Sequence, residues 1–393
     1  MKKNILIWGY FGKNNFGDEL MLKSILEIIK NFESNIYITI DDRNLKTNQI
    51  FQEYKLKSFD LYQSKSKSKI INFASNFLNN IKRLRRIDLL IVGGGTQYFE
   101  ISNNFNFLDF FLRYIYFLVL TSFNGKLINL NVGIGTINNQ FNRYIFSKII
   151  NLSELFIVRD TNSKKIAESI SKKEIILDTD LSFYKSDKFP KSNNPNSLKI
   201  IGINIIDFYN YIQIDDNKRE LLKKTIFDLV KNIKNQKYTV KFFACQYEFG
   251  GKDLEFMTEI ISEFNLDCEI ISNKNFEKFV KNFRQCTFHI GMRFHYCLFS
   301  IQNKIPCIAI SYQSKVKSQF SDLGLNTSII EMSDLSSAAV LRKLNDLKSC
   351  DKDYDKIIKK ANEEGVESLE ISERYIKEFE KDFNALKLTP HDH

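Results

Sequence analysis

The chain has 393 residues, a length that suits two domains of ordinary size better than one core. Hydrophobic residues make up 43% and charged residues 26%, which excludes a disordered chain and is typical of a soluble globular protein. The formal net charge is +10, and between Arg43 and Arg86 eleven Lys or Arg stand against two acids. This basic 43–86 segment predicts peripheral contact with an anionic membrane surface or a polyprenyl-phosphate carrier, with a solvated Lys/Ser-rich loop as the alternative. We expect no nucleic-acid partner.

The six cysteines form no CxxC pair and lie mostly in apolar runs, so we expect buried thiols in a reducing compartment, and no bound zinc or other metal. The apolar stretch at the N-terminus is too short for a signal peptide. Phe105 to Leu120 is interrupted by Asp109 and Arg113 and falls short of the roughly 20 residues that span a bilayer. It predicts a buried helix, with an in-plane membrane contact as the alternative. We therefore predict a cytoplasmic protein, at the inner face of the membrane if the basic segment binds there.

Two series of alternating strand and helix patterns follow one another along the chain. Short apolar runs that end in Gly or polar residues are typical of buried parallel strands. The predicted strands are 4–8, 36–40, 88–92, 126–132 and 154–158, then 199–206, 238–245, 268–272, 287–290 and 306–311. The polar stretch from Phe189 to Ser197 contains two prolines and indicates a linker. We predict an α/β protein of two Rossmann-like domains facing a cleft, 1–190 and 198–345, with a helix over 350–388 packing across both.

Two loops after N-terminal strands present polar groups where an open parallel sheet binds its ligand. The first contains Asn14, Asn15 and Asp18. The amides suit sugar hydroxyls, and Asp18 is either a cap or first-turn acid of the following helix or a carboxylate facing a sugar. The second loop contains Gly94, Gly95 and Gln97, and its glycines indicate either a tight turn or a surface that a ligand approaches closely.

Two further segments predict an anion site. Arg159 directly follows a buried strand and could hold a carboxylate or phosphate, with a structural ion pair to Asp160 or another acid as the alternative. Arg293 and His295 lie at a loop-to-helix transition, where helix N–H groups favour an anion. His289, inside the preceding strand, is expected to be packed, which leaves His295 as the candidate catalytic imidazole. The segment after the next strand, with Tyr312 and Lys315, adds to this site.

Together these segments resemble the polysaccharide pyruvyltransferase family in their order and spacing. The matching segments are 9–11 and 15–19, 88–95, 133–135, 159–160 with 163, 178–180, 292–295, 306–312 with 315, and 322–324. The resemblance implies a two-domain fold similar to that of the B-type glycosyltransferases. It also implies phosphoenolpyruvate as the donor substrate in the C-terminal domain, a sugar acceptor facing the N-terminal domain, and no separate cofactor. The family's Arg-Leu-His donor stretch corresponds to Arg293-Phe294-His295, with Phe in place of Leu, and its upstream donor Arg to Arg159.

The resemblance implies transfer of a pyruvyl group to hydroxyls of a sugar in a surface polysaccharide or its lipid-linked precursor, forming a ketal. His295 would be the acid/base group. Arg293, Arg159, Lys315 and Tyr312 would hold the donor. Asp18 would orient or deprotonate the acceptor, and Asn14, Asn15, Gly94, Gly95 and Gln97 would line its site. One alternative is a nucleotide-sugar-dependent glycosyltransferase of the same fold. The other is a non-catalytic member of a polysaccharide assembly complex.

Overall fold

The computed structural model describes residues 2–13, 15–32, 34–39, 53–59, 69–100, 106–183, 199–211, 216–246, 253–312, 314–349, 356, 359–360, 363, 370–381 and 383. Asn14, the linker over 189–197 and residues 43–52 and 60–68 of the basic segment lie outside these ranges, as does the side chain of Lys315. By its contacts the chain divides into a first unit, Met1–Gly12, Asp18–Leu181 and Ser368–His393, and a second unit, Lys13–Gly17 and Ser182–Glu367. The boundary between the two units falls after Leu181, a few residues before the linker predicted over 189–197.

The first unit is built around one parallel sheet. Its strands are β1 (Lys3–Trp8), β2 (Ser34–Ile38), β3 (Lys57–Ser58), β4 (Leu89–Gly93), β5 (Thr96–Tyr98), β6 (Lys126–Ile134), β7 (Leu155–Val158) and β8 (Ile176–Leu177). Its helices are α1 (Phe16–Ile28), α2 (Lys69–Leu84), α3 (Asn106–Ser122), α4 (Gln140–Leu152) and α5 (Thr161–Glu168). The strand order is β3-β2-β1-β4-β6-β7-β8, with β5 paired to β6. The order reverses between β1 and β4, so loops after these strands open where such sheets bind ligands.

Burial explains why the apolar runs form this sheet. Every residue of β4 is buried, and Leu6 and Leu90 belong to a core cluster that also includes Phe117 of α3. The Phe117 ring packs edge-on against Trp8, with ring centroids 5.6 Å apart. Each such side chain contributes about 1.5–3 kcal/mol through burial. Among the residues that the structure describes, no helix combines the length and apolar character that crossing a bilayer requires.

The second unit repeats this architecture with a six-stranded parallel sheet. Its strands are β9 (Ile200–Asn204), β10 (Thr239–Ala244), β11 (Glu269–Ser272), β12 (Phe288–Gly291), β13 (Cys307–Ser311) and β14 (Ile329–Glu331). Its helices are α6 (Phe208–Tyr211), α7 (Asp216–Asn235), α8 (Asp253–Glu263), α9 (Phe276–Phe283), α10 (Phe294–Gln302), α11 (Ser314–Asp322) and α12 (Ser337–Ser349). The order β11-β10-β9-β12-β13-β14 reverses between β9 and β12. The carboxyl ends of these two strands therefore mark the expected ligand position.

Two segments each belong to a unit whose other residues lie far away in the sequence. Helical residues 370–381 return to the first unit, where the Ser372 N–H donates to the Asp178 carboxylate (3.0 Å) and its hydroxyl to the Asn131 side-chain oxygen (2.8 Å). Near the N-terminus, Phe16 belongs to the second unit by its contacts. Its ring lies 4.7 Å from that of Phe279, and its N–H donates to the Cys245 carbonyl (3.0 Å).

Candidate active site

The candidate site of the second unit begins where β9 and β12 end side by side. Asn204 pairs with Gly291 in the register of the two strands. The Asn204 carbonyl accepts from the N–H of Met292 (3.0 Å), and its side-chain oxygen accepts from the N–H of Arg293 (2.8 Å). The Asn204 amide group donates in turn to the carbonyl of Phe243 (2.8 Å). One fully buried side chain thus fixes the backbone from which Arg293 projects.

The guanidinium of Arg293 forms an ion pair with Asp253, the first residue of α8. Nε lies 3.2 Å from both carboxylate oxygens and Nη2 lies 2.6 Å from one of them. Burial raises the pKa of the Asp253 carboxyl, and the guanidinium opposes that rise. Burial acts to lower the pKa of Arg293, but the Asp253 carboxylate outweighs it and keeps that pKa above its ordinary value. The guanidinium therefore keeps its charge.

This pairing leaves one end of the guanidinium for another partner. The Arg293 side chain is 20% exposed while that of Asp253 is fully buried. Within the described ranges, Nη1 of Arg293 takes part in no hydrogen bond. Tyr312, just after β13, is close enough for its phenol to influence the guanidinium, and its ring lies 5.3 Å from that of Phe208. The backbone of Lys315 lies in the first turn of α11.

His295 lies in the first turn of α10, two residues after Arg293. Arg293 occupies the N-cap position of α10 without a capping bond from its own side chain. The imidazole packs on Gly17, where a Cβ would lie no more than 2.7 Å from three atoms of the histidine side chain. Its Nε2 is shielded from solvent. Arg293 and the N-terminus of α10 thus form one positively charged corner beside His295, and Gly17 fixes the position of the ring.

His289 is packed, as the sequence interpretation expected. Its ring is fully buried and stacks on Phe283 at a centroid distance of 3.7 Å. Nε2 lies 3.2 Å from the Phe283 carbonyl, which can only accept, so Nε2 carries the proton and Nδ1 accepts from the Tyr296 hydroxyl at 2.6 Å. Burial lowers the pKa of His289 to about 3. This imidazole is neutral and has a structural role.

The first unit brings Asp18 and Gly95 together. A Cβ on Gly95 would lie 3.5 Å from a carboxylate oxygen of Asp18. Gly94 and Gly95 have φ values of +75° and +70°, which glycine adopts without strain. Asn15, the residue before α1, accepts from the N–H of Gly17 (3.0 Å). Asn15 thus supplies the capping oxygen, and Asp18 is an acid in the first turn of α1. The role of Asp18 toward a sugar stays a prediction.

Gln97 turns back onto its own loop. Its side-chain amide donates to the carbonyl of Gly94, and its backbone carbonyl accepts from Nη1 of Arg113 (3.0 Å). The side chain is buried. The acceptor role of Gln97 stays a prediction, and the contacts show what its amide does in the protein alone: it closes the glycine turn.

Arg159 is enclosed in a polar network of the first unit. Its side chain is 2% exposed, and Nη1 lies 3.1 Å from Asp180 while Nε lies 3.5 Å from Asp160. Nη2 donates to the Thr96 hydroxyl (3.0 Å), and a Cβ on Gly133 would lie within 2.9 Å of the guanidinium. The ion pair to Asp160 that the sequence analysis named as an alternative is present. The donor-binding role of Arg159 stays a prediction.

Sequence reasoning missed Asn204 and Asp253. Asn204 gave a usable signal, because it is the one polar side chain of β9 and it stands at the carboxyl end of that strand. Asp253 gave none, since a first-turn acid is common in helices whether or not it binds an arginine. Its pairing with Arg293 joins positions 40 residues apart.

The family follows from a comparison of the sequence with known families. The profile of the family described as polysaccharide pyruvyl transferase matches residues 15–314, which include helix α1 and both Arg293 and His295. The chain belongs to this family. It is therefore a transferase enzyme, and the interpretation drawn from the spacing of the motifs is confirmed.

Solved structures of the same fold include several sugar-nucleotide enzymes. UDP-GlcNAc 2-epimerase from Neisseria meningitidis is 13% identical with a TM-score of 0.61, and the match covers 96% of this chain and 100% of that one. A glycosyltransferase from Rickettsia africae is 13% identical with a TM-score of 0.61, over 99% of this chain and 100% of that one. HepE from Anabaena, in complex with UDP and glucose, is 11% identical with a TM-score of 0.61. The match covers 95% of this chain and 98% of that one. This likeness confirms an α/β fold of the B-type glycosyltransferase kind, with parallel sheets in two domains.

Curated sequences match only over a short stretch. The cysteine–tRNA ligase of Lachnoclostridium phytofermentans is 72% identical over 36 residues, which are 9% of this chain and 8% of that protein. The corresponding ligase of Bdellovibrio bacteriovorus is 58% identical over 38 residues, again 8% of its length. Matches of this extent say nothing about the activity of a pyruvyl transferase family member.

Proposed function

We propose that this family member transfers the pyruvyl group of phosphoenolpyruvate to two hydroxyls of one sugar residue, forming a cyclic ketal and releasing phosphate. The observation that carries the proposal is the fixed guanidinium of Arg293, whose Nη1 end is uncommitted among the described residues and stands at the N-cap of α10. Phosphoenolpyruvate is a small molecule with a carboxylate and a phosphate, so such a corner suits either group.

Arg293 can recognise an anion because Asp253 holds it in place before the ligand arrives. The carboxylate occupies Nε and Nη2, so the guanidinium loses little conformational freedom when Nη1 binds. The α10 N-terminus adds partial positive charge at the same place. Tyr312 and Lys315, on the segment after β13, would contact the remaining donor oxygens.

His295 is the proposed acid/base group. A proton added to the methylene carbon of the donor forms the methyl group, and the oxygen of one sugar hydroxyl bonds to the adjacent carbon. The second hydroxyl then bonds to that carbon as the carbon–oxygen bond to phosphate breaks. The first hydroxyl gives up one proton, which replaces the one delivered, and the proton of the second leaves with phosphate. An imidazole serves both directions of transfer near neutral pH.

The acceptor side of the proposal rests mainly on Asp18 and the glycine loop, which belong to the first unit. Asp18 would orient or deprotonate a sugar hydroxyl, and Asn14, Asn15, Gly94, Gly95 and Gln97 would surround the sugar. Arg159 would contribute its charge to the donor from within its network with Asp180 and Thr96. We place the reaction in the cytoplasm, on a precursor of a capsule or exopolysaccharide carried by a polyprenyl lipid. The mechanism uses phosphoenolpyruvate as substrate and no further cofactor.

A second candidate is transfer of a sugar from a nucleotide donor. Its support is the fold, because the glycosyltransferase and HepE structures named above share it. In that case Arg293 and the α10 N-terminus would bind a diphosphate.

One experiment separates the two candidates. The protein is incubated with phosphoenolpyruvate labelled in the methyl-forming carbon and a panel of polyprenyl-linked saccharides, and label in the saccharide and released phosphate are both measured. Equal amounts of the two products are expected. Thermal stabilisation by UDP-sugars and none by phosphoenolpyruvate, without label transfer, would instead establish the second candidate.

A further inference from the structure

Exposed apolar side chains are concentrated on one part of the first unit. Ten large hydrophobic residues are conspicuously exposed among those the structure describes, and eight of them lie between Leu78 and Tyr144. On α3, Leu108 is 40%, Phe111 36% and Leu118 37% exposed. Single exposed hydrophobic residues are common on protein surfaces, whereas a contiguous group of them marks an interaction surface.

The exposed residues of α3 form one stripe. Leu108, Phe111 and Leu118 project from one side of the helix by its 3.6-residue period, while Phe110 and Phe117 on the opposite side are buried in the core cluster. Helix α3 contacts α2 and α4, so the three form one layer. We call the outward side of this layer the α2–α4 face. It consists of Leu78, Leu108, Phe111, Leu118, Phe123, Phe141 and Tyr144, which are 36–59% exposed.

Basic side chains accompany these residues. From residue 69 to residue 152 the sequence contains nine Lys or Arg and three acids, a net charge of +6. The Arg85 guanidinium lies 4.4 Å from the Phe123 ring centroid, and Lys148 Nζ lies 5.0 Å from that of Tyr144. One of the acids, Asp109, pairs with Arg113 at 3.0 Å. Cations thus lie beside two aromatic residues of the α2–α4 face, Phe123 and Tyr144.

We infer that the α2–α4 face binds the surface of an anionic phospholipid bilayer. Aromatic and aliphatic side chains enter the head-group region of such a surface while Lys and Arg remain at the phosphates. Each cation near an anionic membrane adds to attraction that salt weakens. The charge selects this partner over a neutral apolar one. The inference does not depend on the donor or the reaction of the enzyme.

The α2–α4 face only partly overlaps the region where a membrane contact was expected from the sequence. That expectation assigned the contact to the basic 43–86 segment. Of that segment, α2 contributes Leu78 and Arg85 lies beside Phe123, while most of the apolar residues of the face come from α3 and α4. The in-plane alternative for Phe105 to Leu120 thus applies to one side of α3 only, because its other side is in the core.

The test is binding of the purified full chain to large unilamellar vesicles, measured by flotation. Vesicles of phosphatidylcholine alone are compared with vesicles containing roughly a third phosphatidylglycerol. We expect binding to the anionic vesicles that weakens as salt is raised. The double variant Phe111→Ser/Leu118→Ser should lower the bound fraction at least tenfold, and Arg85→Glu/Arg86→Glu should remove the dependence on phosphatidylglycerol. Circular dichroism melting checks that each variant is folded.

The control is Leu221→Ser, which removes an even more exposed apolar residue (63%) from α7 of the second unit. It should bind like the unaltered protein. Unaltered protein that stays with the unbound fraction, or a Phe111→Ser/Leu118→Ser variant that binds as well as it does, would overturn the inference. A dimer in solution that this double variant dissociates, without vesicle binding, would show that a second copy covers the face. Activity with a water-soluble acceptor reports on the proposed reaction separately.

Discussion

The imidazole of His295 packs directly on Gly17, at the second position of α1. The two residues are far apart in sequence and belong to the same unit. Because a side chain at residue 17 would occupy the space of the ring, glycine is needed here to keep His295 next to Arg293. The Gly17 N–H donates a hydrogen bond to the Asn15 side-chain oxygen, which holds the backbone of Gly17 in this position.

Gly17→Ala should therefore reduce kcat at least tenfold. Alanine in a helix is ordinarily more stable than glycine by about 0.5–1 kcal/mol, but the overlap with His295 should cost about 1–3 kcal/mol and outweigh that gain. Label transfer and urea unfolding measure the two effects. Gly324→Ala is the control, since its φ of +73° imposes strain while no atom lies within 4 Å of the added Cβ. It should lose about 1 kcal/mol and keep kcat; unchanged activity in Gly17→Ala would contradict the assigned contact.

His295→Gln should lower kcat by about 10²–10⁴, because glutamine cannot exchange protons near neutral pH. Donor binding should change little, since Arg293 carries most of the anion contact. Steady-state kinetics and the donor Kd from a thermal titration measure this. Activity within threefold of the unaltered enzyme would remove His295 from the acid/base role.

Asp253→Asn should raise KM for phosphoenolpyruvate about tenfold or more and change kcat less. The amide cannot pair with the guanidinium charge, so Arg293 loses its fixed orientation. Phosphate release at varied donor concentration gives the two constants. Glu259→Gln is the control because Glu259 lies on the same helix and also bonds an arginine, Arg219 at 2.8 Å. Similar KM values for the two variants would show that Asp253 is only a structural partner.

Asp180→Asn should lower the free energy of unfolding by about 3 kcal/mol, since it leaves the buried Arg159 guanidinium with only the more distant of its two carboxylates, Asp160. Glu154→Gln breaks the ion pair between Glu154 and Lys126, whose side chains are 45% and 34% exposed. This variant should lower the free energy of unfolding by at most about 1 kcal/mol. Urea unfolding of both variants measures the difference. Equal losses would mean that the Arg159 network contributes no more than a surface pair.

His289 gives the protein a specific loss of stability in acid. Its pKa falls from 6.5 to about 3 on folding, so the unfolded chain binds a proton that the folded chain does not. The free energy of unfolding should therefore fall by about 1.4 kcal/mol per pH unit as the pH decreases below 6.5, until the pH approaches the folded-state pKa of about 3. Glutamine can make the same two hydrogen bonds without titrating, so His289→Gln should remove this part of the slope. Parallel curves for the two proteins, from urea unfolding at several pH values, would refute the assignment.

Local sequence patterns determined the strands and the positions of the loops. Apolar runs predicted β1, β4 and β12 to within a few residues, because a strand buried on both faces needs a continuous apolar run. They missed four strands of only two or three residues, too short to give a pattern of their own: β3, β5, β8 and β14. The family followed from the order and spacing of the same loops, and its profile match confirms it.

Which side chains meet was decided by the tertiary structure. The sequence placed Arg293 and His295 on one turn by their adjacency, but the contacts of Asp253 with Arg293 and of Gly17 with His295 form between elements far apart in the chain. The side-chain period of a helix or strand specifies which face a residue occupies and carries no information about the residue that packs opposite it. For that reason, the anion-binding corner could be located from sequence, and the groups that hold it in place could be found only in the folded protein.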